Sequence, residues 1–136
     1  MSRCNQWKIK LDAFLKTKTN HKFAWGINDC LQFVFDVDSI ISEKSRFADV
    51  RPMLDYETEE QAQELMRMWG MKDVCDIMDA RLERKNANFL CCGDIGLIEY
   101  RAKNVLSICL GDKFAHPWTT GLGYTHREKI VYGWAL

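Results

Sequence analysis

The chain has no excess of charge: 19 lysines and arginines balance 19 aspartates and glutamates. No basic field is available to gather nucleic acid or an anionic membrane, and neither is expected as a partner. Nor is there an apolar run long enough to span a bilayer. The opening stretch MSRCNQWKIKLDAF lacks the apolar segment of a secretory signal. Synthesis in a reducing compartment is therefore expected, and the six cysteines are not expected to form a disulfide framework. A C-x-x-C pair is also missing, and Cys91 and Cys92 are adjacent, which is poor geometry for shared chelation. No metal and no cofactor is expected. Only two prolines occur, Pro52 and Pro117, and no repeat, low-complexity tract or linker interrupts the chain. With 136 residues this predicts a single domain over 1–136, large enough to bury a core without staples.

What is present divides by period. Trp7, Leu11, Phe14 and Leu15 recur at helical spacing and predict an amphipathic helix over roughly 4–17. A polar turn from Thr17 to His21 follows, then Phe23-Ala24-Trp25-Gly26, with Asn28 or Asp29 as N-cap for the next helix. That helix, Cys30 to about Ile41, carries apolar residues around most of its circumference, as expected of a central, buried element. Residues 44–56 read as irregular, with Pro52 as breaker. Thr58 and Gln61 form a capping-box pattern opening a helix that Gly70 ends, and a short helix through Val74, Ile77, Met78 and Leu82 follows.

The second half changes to strand character. Strands are predicted at Ile95–Tyr100, Val105–Leu110 and Lys113–His116, then a loop over Pro117–Gly121 and short extended pieces near 122–125 and 131–136. Helices first and an antiparallel sheet second is an α+β layout, with the cysteine-bearing helix packed on the sheet.

Cys30 draws attention because it opens a helix. A thiol there faces unsatisfied backbone amides, and the helix dipole favours its thiolate, the form that attacks. Asp29 would cap the same helix while its charge opposes the thiolate. Cys75 and Cys109, like Cys30, lie in apolar patterns of the kind buried free thiols occupy.

The pattern F-x-W-G-x-x-D-C, followed later by G-D-I-G and a strand-turn-strand, resembles the NlpC-type cell-wall peptidases, a branch of the papain-like thiol hydrolases. More closely it resembles a small uncharacterised family from phages and prophages. Trp25-Gly26, Asp29-Cys30, Gly93-Asp94, Leu106–Gly111 and Trp134 follow one another in that family's order, so the likeness spans about residues 23–136. It implies a papain/NlpC-like fold. NlpC-type enzymes use a cysteine at a helix start, a histidine opening the second strand, and a polar group on the third strand that orients the histidine. The nucleophile then falls on Cys30, the base on Val105, and the orienting position on His116. Valine accepts no proton.

Three readings follow: a degenerate hydrolase fold with a binding or structural role, a rewired pair in which His116 reaches Cys30 directly, or a partner chain that supplies the missing group. The first is favoured. The resemblance further implies a phage or prophage protein, made in the bacterial cytoplasm and carried in the virion tail, with other tail proteins as partners. If the protein is active, the implied reaction is hydrolysis of an amide bond in a peptidoglycan peptide by Cys30 and His116. A further alternative is a small phage protein that interferes with a host enzyme. Candidate binding residues are Trp25, which would wall a groove, Asp29, Asp94, whose simplest role is to fix a turn or cap amides, and Trp118 in an exposed-looking loop. His21 and His126 read as exposed.

Overall fold

Cys30 to Ile41 forms the helix on which the rest is built (α2). Asp29 caps it with extended backbone, its Oδ1 accepting the Gln32 amide at 2.9 Å. Phe33, Val34, Val37 and Ile41 have no appreciable exposure, so α2 is apolar nearly all round and central, as its composition predicts. The computed structural model describes residues 3–136. Among them α2 is accompanied by α1 (Trp7–Lys18), α3 (Glu59–Met68) and α4 (Val74–Asp79). Thr58 caps α3 as predicted, its hydroxyl accepting the Gln61 amide at 3.1 Å. The return bond differs from the predicted box: the Gln61 side chain accepts the amide of Glu57, one residue before the cap, at 2.8 Å.

Six strands follow: β1 (Arg84–Asn86), β2 (Ile95–Tyr100), β3 (Lys103–Cys109), β4 (Lys113–Trp118), β5 (Gly121–His126) and β6 (Tyr132–Trp134). They form one antiparallel sheet in the order β1-β6-β2-β3-β4-β5. The predicted α+β layout stands: helices first, packed on a C-terminal antiparallel sheet. Some predicted boundaries move: α1 begins at Trp7, β3 begins at Lys103, and β4 runs through Pro117 to Trp118 where a loop is predicted, while β1 has no counterpart among the predicted strands.

Strand residues alternate between faces, and the core divides accordingly. Ile95, Leu97, Leu106, Ile108 and Ala115 face the helices and join α2 in the main core. Ile98, Cys109 and Phe114 face the other way and form a smaller cluster with Leu90, Ile130 and Val105. Arg127 closes that second cluster, donating to the carbonyls of Ala87, Leu90 and Gly111 at 2.6, 2.9 and 2.6 Å.

The sheet is not uniformly zipped. β2 and β3 pair over six residue pairs, from Ile95↔Ile108 to Tyr100↔Lys103. β3 and β4 pair only at Ile108↔Ala115 and Cys109↔Phe114. Continuing that register would set Leu106 opposite Pro117, which has no N–H to donate. The strands part there, and β4 keeps company with β5 alone as far as Trp118↔Gly121.

Candidate functional site

The N-terminus of α2 meets the sheet at this parting. The Leu106 amide, in the part of β3 that has no partner on β4, favours the Cys30 thiolate. That influence is outweighed. Burial pushes the Cys30 thiol up to about 12, and the Asp29 charge acts in the same direction. Cys30 is therefore a protonated thiol at neutral pH, in spite of its place at a helix start.

Asp29 is 1 % exposed and forms no salt bridge among the described residues. Three donors satisfy it instead: the amides of Gly26 at 2.8 Å and Gln32 at 2.9 Å, and the Tyr56 hydroxyl at 2.8 Å. Tyr56 is itself buried, and burial together with the Asp29 charge raises its phenol well above the ordinary range. Sequence reasoning did not single out Tyr56 or Gln32. Tyr56 lies in the stretch read as irregular, with no periodicity to mark it, and the only local signal for either residue was the Asp29 cap they surround. Gly26 has a positive φ of 79°, and a β-carbon there would lie 1.9 Å from the Tyr56 carbonyl oxygen. Only glycine allows the loop before α2 to close onto Tyr56. Trp25 stands at the rim, 37 % exposed, with its ring edge-on to Phe23 and Tyr56 at centroid distances of 5.0 and 6.5 Å.

His116 does not join Cys30. It lies on β4 one residue beyond Ala115, so it points to the face of the sheet away from α2. Both ring nitrogens are engaged there. Nδ1 is 3.2 Å from the Pro117 carbonyl, which can only accept, so Nδ1 carries the proton. Nε2, at 2.8 Å from Thr125 Oγ1, then accepts from that hydroxyl. Burial lowers the imidazole's proton affinity and keeps it neutral. The pair of Cys30 with His116, open on sequence grounds because adjacent strand ends meet, is thus not formed: the sheet lies between nucleophile and base. Val105, the position onto which the base falls, also faces away from α2, packed beside the second cluster. Trp118 shares the outer face with His116, ring centroids 5.5 Å apart, and meets Tyr100 at 5.1 Å.

Asp94 belongs to neither place. It is buried and binds Arg3 Nη2 at 3.1 Å, Lys85 Nζ at 2.7 Å, and the amides of Leu136 and Cys91 at 3.1 and 2.9 Å. Arg3 extends the tie to the carbonyls of Cys92 and Leu136 at 2.7 and 3.0 Å. With both carboxylate oxygens filled from within the chain, Asp94 is a knot between segments far apart in sequence, and the amides it accepts fit the simplest role predicted for it. His21 and His126 are exposed, as their polar surroundings predict.

Among the described residues the six cysteines are free, no group of three or more His, Cys, Asp or Glu side chains is placed to hold a metal ion, and no helix is long and apolar enough to cross a membrane. No curated protein and no solved structure is significantly similar to the chain. A family model described as a domain of unknown function (DUF6950) matches residues 2–136, and the chain belongs to that family.

Proposed function

We propose that this chain is a catalytically silent domain of papain/NlpC-like layout, working as a structural or assembly part of a phage or prophage tail. The silence rests above all on geometry: His116 on β4 is turned to the face of the sheet away from Cys30 with both ring nitrogens engaged there, while burial and the Asp29 charge favour the protonated Cys30 thiol. A cysteine hydrolase needs the reverse, a thiolate with an imidazole within hydrogen-bonding reach. The layout supports the kinship half of the reading. A cysteine opens the buried helix, that helix lies on an antiparallel sheet, and Gly93-Asp94 leads into the sheet's central hairpin. The tail assignment rests on the resemblance of the W-G-x-x-D-C and G-D-I-G motifs to the phage and prophage family.

Purified chain incubated with peptidoglycan sacculi should release no new amino groups, and Cys30→Ser should change nothing. In a phage that encodes the chain, Cys30→Ser should leave particle yield and infectivity intact, whereas deletion of the gene should leave tails incomplete, and the chain should be found in purified particles. Release of amino groups that Cys30→Ser abolishes would return the active peptidase reading. Absence from particles, with stable capture of one host enzyme, would favour the interference reading.

A further inference from the structure

The parting of β3 from β4 leaves a concavity of about 280 Å³ on the outer face of the sheet, bordered by Ile98, Tyr100, Val105, His116, Trp118 and Thr125. It is separate from the Cys30 environment, and its argument does not depend on the tail assignment. Its floor is aliphatic, from Ile98 and Val105. One side is the edge-on pair Tyr100 and Trp118, with Tyr100 40 % exposed. Gly123 makes room for the other side. A β-carbon there would stand 3.0 Å from His116 Cε1 and 3.1 Å from Trp118 Cβ, so the missing side chain lets both residues lie against β5.

The polar groups of this concavity are uncharged. His116 is neutral and fixed in one tautomer by the Pro117 carbonyl. Thr125 spends its proton on His116 and keeps its lone pairs for a ligand. The Tyr100 hydroxyl and the Trp118 indole N–H make no hydrogen bond within the described residues, which leaves two donors at the rim. No carboxylate or ammonium group lines the space. Among the described residues two cations stand over rings that line it, the Arg101 guanidinium over Tyr100 at 5.2 Å and the Lys113 ammonium over Tyr124 at 5.7 Å, and neither side chain is itself part of the lining. A charged ligand would lose its hydration here with no counter-charge among the lining residues. A purely apolar ring would leave donors and acceptors at the rim without partners. A ring with apolar faces and hydroxyl edges meets both demands, since it can lie on the aromatic pair while its hydroxyls exchange hydrogen bonds with Tyr100, Trp118 and Thr125. The geometry points to a carbohydrate subsite for a single uncharged sugar ring on the outer face of the sheet, with Trp118 as its platform and His116 and Thr125 as its polar end.

The test is titration of the isotope-labelled chain, followed by NMR, with four probes: methyl β-D-glucopyranoside, N-acetylglucosamine, glucuronate and indole. The two neutral sugars should shift the Gly123 and Thr125 amides and the His116 ring protons in a saturable way. Glucuronate should bind at least tenfold more weakly. Trp118→Ala should weaken the sugars at least tenfold while the remaining spectrum stays that of a folded chain, and Cys30→Ala should leave the titration unchanged. Val105→Trp, which fills the space from β3, should abolish it, so a misfolded Trp118→Ala would not leave the proposal unexamined. The proposal is overturned if neither sugar gives saturable shifts, if indole alone does, or if the shifts survive both substitutions.

Discussion

The protonated thiol of Cys30 makes a quantitative claim about reactivity. Raising a thiol from the ordinary 9.0 to about 12 lowers its thiolate fraction about a thousandfold at any pH well below 9. A more basic thiolate is intrinsically a better nucleophile, and a Brønsted slope of ~0.4–0.5 returns roughly 15- to 30-fold of that loss. Alkylation of Cys30 at pH 7.5 should therefore run about 30- to 60-fold slower than that of a free cysteine peptide. Partial burial of the residue slows it further. The assay is timed iodoacetamide labelling, quenched and read as peptide masses, with exposed Cys91 of the same chain as the site that labels first. The pH profile is equally diagnostic. The Cys30 rate should climb tenfold per pH unit from 7 to beyond 10, with no plateau. Asp29→Asn should raise the rate, because the Asp29 charge is one of the two influences opposing the thiolate. Labelling of Cys30 at or above the free-peptide rate near neutral pH, or a plateau below pH 9, would refute both the protonated thiol and the silence built on it.

Other outcomes follow from the same contacts. Tyr56→Phe removes a hydrogen bond to a buried carboxylate and should cost about 1.5–3 kcal/mol in urea unfolding. Asp94→Ala leaves Lys85 and Arg3 without their buried partner and should cost about 3–5 kcal/mol; a loss under 1 kcal/mol in the same assay would deny its role as a knot. The thiol of Cys30 is raised in the folded chain, so its stabilising share is full below about pH 9 and is lost as pH climbs toward 12, an effect that Cys30→Ala should remove from a pH–stability curve. His116 is lowered, so the opposite sign holds: stability is full above its ordinary 6.5 and declines as pH falls below it, and His116→Gln should flatten that decline.

The helical half of the fold was legible because its signals are local. Asp29 caps α2, Thr58 caps α3, and the apolar girth of Cys30–Ile41 states its burial. Ile95–Tyr100 was equally plain, as a run of strand formers bounded by turns. β1 was not, because Arg84-Lys85-Asn86 has no apolar alternation. Those residues are extended only because β6 offers them a partner, from Arg84↔Trp134 to Asn86↔Tyr132. The candidate site failed at a finer point. Motif order placed Cys30 at the start of its helix but carried no information on which face of the sheet Val105 and His116 take. A shift of one residue reverses that face. Pro117 was the available clue: read as a loop residue, it is instead a strand residue whose missing N–H ends the β3–β4 ladder. Asp29 was recognised as a cap, yet its bond to Tyr56, 27 residues away in sequence, had no local trace.

The unfinished ladder between β3 and β4 divides the sheet into units of unequal cohesion. The β4–β5 hairpin is paired along its whole length but tied to β3 at only two residue pairs. Amides of the β2–β3 hairpin should open only with the core, whereas the β4–β5 hairpin, held further by the Phe23 amide on the Trp118 carbonyl and the Leu122 amide on the Thr19 carbonyl, should open as a smaller cooperative unit. In hydrogen exchange the chain should then show two tiers of protection, with β2, β3 and α2 in the slow tier and Lys113 to His126 in the fast one. The hairpin carries one side of the outer concavity, so the same seam would let that concavity widen without disturbing the helices.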